Sequence, residues 1–243
     1  MISVLIQTTD PETKEEIVAT IVITGASRGL GLEFVRQYAA DGDRVIAACR
    51  HPDKATALKA IKGDVRVVAL DIADAGSIHA LAETLGIEPI DIVINNAGVY
   101  GKAQSLSKTD YAAWEDVFRI NTIGPLHLTD ALLPRLAAGK RKLVVAITSL
   151  MGSIADNSSG GYYAYRSSKA GLNAVFKSLS VDLKPSGVTA VVLHPGWVKT
   201  DMGGANAPLE PKDSVSGMRA VIAKLDIKDS GRFLDYRGKE LPW

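Results

Sequence analysis

Ile17-Val18-Ala19-Thr20-Ile21-Val22-Ile23-Thr24 runs directly into Gly25-Ala26-Ser27-Arg28-Gly29-Leu30-Gly31, and the reading of this stretch decides the fold. Its first part is dense in β-branched apolar side chains and lacks polar alternation. It reads as a strand buried on both faces, the kind found in parallel sheets. Its second part holds three glycines, and beyond it Leu32, Val35, Tyr38 and Ala39 return at helical spacing. Strand, glycine-rich turn, helix is the context in which a glycine motif carries meaning. Glycine permits φ > 0, and small residues let a backbone approach a pyrophosphate. A helix starting near Gly29 aims its first amides at that anion. Gly25, Ser27, Arg28, Gly29, Leu30 and Gly31 are therefore candidate cofactor contacts. The spacing is Gly-x-x-x-Gly-x-Gly, not Gly-x-Gly-x-x-Gly, and a tight turn without a ligand has a similar composition. The strand-to-helix context favours the cofactor.

The pattern repeats outward from this unit. Strands are expected at Arg44–Ala48, Val65–Leu70, Ile90–Ile94, Leu143–Ile147 and Val188–Leu193, with a last edge strand at Arg232–Leu234. Helices are expected at Asp53–Ile61, Gly76–Leu85, Tyr111–Leu136, Tyr162–Leu183 and Asp213–Leu225. Such alternation predicts the α/β class: a Rossmann-type, doubly wound parallel sheet with helices on both faces. No composition break marks a second domain, so residues 17–243 form one domain. Residues 1–16 read as an N-terminal extension, with a short strand at Ile2–Ile6 and a helix start at Asp10-Pro11-Glu12, and no function is assigned to them.

The composition narrows the function. At 47% hydrophobic residues, the 243-residue chain has material for a large core. A net charge of +1 gives no basic surface for nucleic acid. Cys49 stands alone, so no internal disulfide forms and a reducing, cytoplasmic location is expected. No stretch reaches membrane-spanning length. With His51, His79, His127 and His194 scattered, no catalytic metal is expected. His194 reads as a packed, hydrogen-bonded residue.

The end of the second strand discriminates between cofactors. An acid there holds the 2′-hydroxyl of NAD, and a base accommodates the 2′-phosphate of NADP. Cys49-Arg50-His51 offers no acid, and Arg28 is a second cation expected close by. The two arginines favour NADP(H).

Tyr165-Arg166-Ser167-Ser168-Lys169 supplies candidate chemistry. On a helix, Tyr165 and Lys169 lie on one face, a turn apart. A phenol near pH ~10 is a weak acid and base at neutrality unless a cation stabilises its anion. The pair is a candidate proton donor and acceptor for a carbonyl or alcohol. Such pairs are also common on solvated helices, so the surrounding chain has to decide.

The motifs together resemble the short-chain dehydrogenase/reductase family from about Ile17 to the C-terminus. They are, in order, Thr24 to Gly31, Asp71, Asn95-Asn96-Ala97-Gly98, Asn121, Ser149, Tyr165/Lys169 and Pro195-Gly196-Trp197-Val198-Lys199-Thr200. The ending Gly231 to Trp243 resembles the C-factor and sniffer-like carbonyl reductase branch. The resemblance implies that Asp71, with Ile72 beside it, contacts the adenine. It implies that Asn95 braces the sheet, that Ala97 and Gly98 approach the ribose, and that Asn121 interrupts its helix and holds a water linked to Lys169. Ser149 would bond the substrate oxygen. Pro195, Gly196, Val198 and Thr200 would hold the nicotinamide end, and Lys169 would bond its ribose. Asn121, Ser149, Tyr165 and Lys169 are then the catalytic set of an NADPH-dependent reductase acting on an aldehyde, ketone or quinone.

Leu150, Met151, Tyr162, Trp197 and Met202 are candidate pocket residues, under a short glycine-rich lid at Asp201–Pro208 that is expected to be mobile. A competing reading is a signalling or regulatory cofactor-binding protein of the C-factor type. Alcohol oxidation with NAD is disfavoured by Arg28 and Arg50. By family analogy the outer faces of the long helix and of Tyr162–Leu183 pair subunits, giving a homodimer or homotetramer.

Overall fold

The protein is described by a computed structural model covering residues 18–102 and 105–243, so the extension expected at residues 1–16 lies outside the described residues. The strands are β1 (Thr20–Thr24), β2 (Arg44–Cys49), β3 (Val65–Ala69), β4 (Ile92–Asn95), β5 (Leu143–Ile147), β6 (Thr189–His194) and β7 (Phe233–Asp235). The helices are α1 (Gly29–Ala40), α2 (Thr56–Lys59), α3 (Ala75–Leu85), α4 (Tyr111–Phe118), α5 (Gly124–Ala138), α6 (Tyr163–Asp182) and α7 (Pro211–Lys224). All seven strands are parallel in the order β3-β2-β1-β4-β5-β6-β7. The chain winds outward in both directions from the β1–β4 pair, so a crevice opens above the C-terminal ends of those strands.

Alternation within the strands distributes the core. Val22, Ile46, Val93, Val144 and Val192 face one layer with Ile78 and Leu81 of α3, Leu128 and Leu132 of α5, and Leu172 and Phe176 of α6. Ile21, Ile23, Val45, Ile94 and Val145 face the other, with Phe34 and Val35 of α1 and Val215 and Met218 of α7. Each such side chain contributes about 1.5–3 kcal/mol by leaving water. Both faces being dry is why the strands read as unbroken apolar runs rather than as alternating ones.

Two expected elements differ. The first strand starts at Thr20, because Val18 is exposed despite its apolar side chain. The helix expected over Asp53–Ile61 is a 3₁₀ turn, Pro52–Lys54, followed by the single turn α2. Ala55 leaves helical geometry at ψ 58° and is buried there together with Leu58. The helical region over Tyr111–Leu136 is interrupted by a π-turn at Arg119–Ile123, which holds Asn121, the residue at which an interruption was expected. No helix among the described residues is long and apolar enough to cross a membrane.

Candidate active site

The β1–α1 turn is held by its neighbour across the crevice. Thr24 Oγ1 accepts the N–H groups of Asn96 and Ala97 at 3.0 and 2.9 Å. Asn96 Nδ2 returns a bond to the Thr24 carbonyl at 2.9 Å. A Cβ on Gly31 would stand 2.3 Å from the Gly25 carbonyl oxygen, and Gly25 itself has φ +64°. Glycine is therefore required at both positions for the helix to start this close to the strand. Asp74 and Asp110 cap α3 and α4 with their carboxylates, whereas α1 begins at Arg28 with no side-chain cap. Its first N–H groups and its dipole are thus directed into the crevice, where an anion is favoured. Ser27 and Leu30 lie half-buried on this turn.

Around the turn the other expected contacts are distributed unevenly. The bracing expected of Asn95 is done by Asn96. Asn95 instead faces Thr129 of α5 at 3.4 Å, and its Oδ1 is buried without a partner. Asp71 is exposed and bends back on its own turn, Oδ1 accepting the Ala73 N–H at 3.0 Å, while Ile72 beside it is buried. Arg50 is exposed at the end of β2. Arg28 turns its guanidinium toward Asp201 of the lid at 3.5 Å. Both partners of that ion pair are largely solvated, so it contributes little.

The chain after β6 closes the other side. The Pro195 carbonyl accepts Ser214 Oγ at 2.6 Å, and Gly196 packs on Tyr236. Buried Val198 pairs with Leu209. Thr200 Oγ1 accepts the Gly203 N–H at 3.1 Å, and its methyl lies 3.6 Å from where a Gly29 Cβ would be. The lid thus begins as a bonded turn seated on the start of α1. Trp197 anchors it through Nε1–H to the Gly203 carbonyl at 2.7 Å.

The catalytic candidates meet where α6 crosses the ends of β4 and β5. Tyr165, Lys169 and Ser149 are all buried, and Ser149 is close enough to the Tyr165 hydroxyl to ease its ionisation. Lys169 Nζ donates to the Ile147 carbonyl at 2.8 Å and lies 6.0 Å from the centre of the Tyr165 ring. Asn121, fully buried in the π-turn, grips Val99 by both backbone groups at 2.8 Å each. Its Nδ2 also reaches Ser168 Oγ at 3.0 Å, and that hydroxyl bonds the Tyr165 carbonyl at 2.9 Å. Both amide hydrogens of Asn121 are therefore committed. A water linked to Lys169 has to use its Oδ1 or a backbone carbonyl of the π-turn.

Burial governs the ionisation. It pushes the Tyr165 phenol up to about 12; Ser149 pulls the other way, and Tyr100 adds to the rise. It pulls Lys169 down to about 8. The expectation that Lys169 lowers the Tyr165 pKa is not met, because desolvation outweighs every other influence on the phenol. His194 is held down at about 4, chiefly by burial, against the pull of Asp235 and Asp156. Its Nδ1 accepts the Leu150 N–H at 3.2 Å, so it is the packed, hydrogen-bonded histidine expected.

Of the pocket candidates, Met202 lies against Tyr165, and Met151 and Tyr162 reach it through Tyr100. Met202 Sδ lies 3.9 Å from the Tyr165 hydroxyl. Met151 Sδ lies 3.8 Å from the hydroxyl of Tyr100, and Tyr162 stacks obliquely on the same ring. Leu150 starts the turn that follows Ser149. Tyr100, with its ring centre 4.5 Å from that of Tyr165, escaped the sequence analysis, as did Thr24 and Asn96 as a pair. Asn96 was legible in its motif, whereas nothing in the sequence pointed to Tyr100.

The residues present fit a dinucleotide lying across the crevice. The uncapped start of α1 suits its pyrophosphate. The backbone at Gly98 is bare, with Asn121 Oδ1 and Lys169 Nζ 3.3 and 3.5 Å from where a Cβ would stand, which suits a ribose hydroxyl.

A Rossmann-type sheet with this glycine turn and a Ser-Tyr-Lys cluster at its C-terminal edge defines a nucleotide-dependent oxidoreductase of the short-chain type. A family profile described as short chain dehydrogenase matches residues 19–210, and the chain belongs to that family. Among its relatives is C-signal of Myxococcus xanthus, 51% identical over 166 residues, which are 68% of this chain and all of that protein. Carbonyl reductase Sniffer of D. melanogaster superposes with a TM-score of 0.87 at 34% identity, covering 93% of this chain and 100% of that one. An NADPH-bound carbonyl reductase from chicken fatty liver gives 0.85 at 34% identity, covering 93% and 99%.

Proposed function

We propose that the protein reduces an aldehyde, ketone or quinone carbonyl to the alcohol with NADPH. The observation that carries this reading is that Tyr165 is buried, with Ser149 close enough to its hydroxyl to ease its ionisation and with buried Lys169 one turn further along the same helix. The dinucleotide, when bound, supplies a hydride to the carbonyl carbon. Gly25, Ser27, Gly29, Leu30 and Gly31 would hold its pyrophosphate, and Asp71 and Ile72 its adenine. Asn95, Ala97, Gly98 and Lys169 would line the ribose, and Pro195, Gly196, Val198 and Thr200 the nicotinamide end. Arg28 and Arg50 would take the 2′-phosphate, which needs Arg28 to exchange Asp201 for that anion.

Ser149 Oγ holds the carbonyl oxygen beside the Tyr165 hydroxyl, which transfers its proton to that oxygen as the C–H bond forms. A phenol at about 12 stays protonated through the neutral range, so the proton is in place for reduction. Lys169, one turn along the helix, relays a proton back to the phenolate left behind, drawn through Asn121 and its water. Met202, Met151 and Tyr100 exclude bulk water from the phenol, which strengthens each of these interactions. The test is turnover by purified protein with NADPH and NADH separately, against aldehydes, ketones and quinones. Oxidation of NADPH with alcohol formed in equal amount is expected; no turnover with any carbonyl would overturn the reading.

The C-signal relative favours a second reading, a signalling or regulatory protein that uses the fold to bind its cofactor. Signalling that survives Tyr165→Phe after turnover is lost supports it. We also propose a cytoplasmic location and at least a homodimer. The exposed Tyr111, Ile123, Leu126 and Val181 on the π-turn and on α4, α5 and α6 support the pairing, and light scattering measures it.

A further inference from the structure

Beyond β7 the chain turns back on itself. Leu234 bridges Glu240 antiparallel, Asp235 N–H bonds the Lys239 carbonyl and Leu241 N–H the Phe233 carbonyl, at 2.8 Å each. Covering the edge strand explains those bonds. It does not explain where the segment goes next. The Trp243 main-chain oxygen accepts the Ala155 N–H at 3.0 Å and the Ser153 hydroxyl at 3.1 Å. The Trp243 ring is clasped between Phe233, at 5.5 Å between ring centres, and the Lys177 ammonium of α6, at 5.9 Å.

Ser153 and Ala155 belong to the turn that carries the catalytic serine. Within it, Ser149 Oγ accepts the Met151 N–H at 3.1 Å, Ser149 O the Gly152 N–H and Leu150 O the Ser153 N–H, at 2.9 Å each. Buried Ser153 also accepts the Asp156 N–H at 3.1 Å. The inner side of the turn is fixed from the sheet and α6: Leu150 N–H by His194, the Gly152 carbonyl by Asn173 at 3.4 Å. The outer side is fixed by Trp243.

We infer that Lys239–Trp243 is a strap that positions the turn Ser149–Asp156, and that Trp243 is a positioning residue for the carbonyl substrate held by Ser149 and Met151. The substrate part rests on the proposed carbonyl reduction; the positioning of the turn does not. Trp243 touches neither Tyr165 nor the cofactor crevice and acts only through Ser153 and Ala155. Small displacements transmitted in this way are costly, because orientation supplies much of a catalysed rate.

The experiment compares Trp243→Ala, Trp243→Phe and Ser153→Ala with the wild type, in the full chain. Amide hydrogen exchange at residues 150–156 needs no substrate. Trp243→Ala is expected to speed exchange at Ala155 at least tenfold while β5 and α6 keep their protection, with Trp243→Phe restoring it. With benzaldehyde and NADPH, kcat/KM is expected to fall roughly tenfold in Trp243→Ala and Ser153→Ala, mostly through KM, with the Kd for NADPH within twofold. Unchanged exchange at Ala155 would overturn the strap. So would a general loss of protection across β5 and α6, which is what a mere edge cover predicts. A wild type that reduces no carbonyl defeats the carbonyl reading, while the exchange result still decides the strap.

Discussion

The β1–α1 turn and the cluster around Tyr165 lie at the same edge of the sheet, but they are held by different materials. The turn is backbone and small side chains: Thr24, Asn96, Gly25 and Gly31, with carbonyls and amides making its bonds. The cluster is buried side chains brought together from the π-turn, the end of β5 and α6, two of them titratable. A backbone cradle is sensitive to shape and indifferent to pH. A buried Tyr-Lys cluster tolerates small changes of shape better, but its work depends on which group carries the proton.

The largest effect should come from the cluster. Tyr165→Phe keeps the ring and removes the proton donor, so kcat should fall by on the order of 10²–10⁴ while the Kd for NADPH, read by fluorescence titration, stays within twofold. Near-normal turnover would break the comparison, since the cluster would then be structural. The matching change in the cradle is Gly31→Ala. Its methyl would have to share space with the Gly25 carbonyl oxygen at 2.3 Å. A loss of about 1–3 kcal/mol of stability is expected, with NADPH affinity falling at least tenfold; a thermal melt with and without NADPH measures both.

A smaller effect separates the cofactors. Arg28→Ala combined with Arg50→Ala should raise KM for NADPH roughly tenfold and leave that for NADH nearly unchanged, each exposed cation contributing about one charge-assisted bond to the 2′-phosphate. Equal changes for both cofactors would remove the arginines from that role. The smallest effect is the pH dependence that the cradle lacks. Lys169 has its pKa lowered to about 8, so it loses its proton from the folded protein well before an ordinary lysine would. Reduction is then expected to decline above about pH 8, and Lys169→Met to abolish that limb along with most of the activity. The same shift has a sign for stability. Between about 8 and the ordinary lysine value of 10.5 the unfolded chain holds the proton that the folded chain has lost, so the Lys169 contribution to stability rises with pH across that window.

Most of the architecture could be read before folding. The limits of β5 were read residue for residue, and the remaining strands to within a few residues. The misreadings have local causes. Apolar Val18 resembles strand but stands in solvent, and Ala55 breaks a helical pattern by moving into the core. The π-turn leaves the apolar spacing of Tyr111–Leu136 almost unchanged, so periodicity does not reveal it.

The order of strands and helices, the glycine turn, and the residue types offered for proton transfer followed from the sequence alone, because periodicity and turn chemistry are local properties of a chain. The tertiary structure decided that Asn96 rather than Asn95 braces the cradle, and that Arg28 turns to Asp201. It also decided that Tyr100 leans on Tyr165, and that burial rather than Lys169 sets the phenol at about 12. Each of these depends on which groups from distant segments share a small volume, and on how much water is left between them.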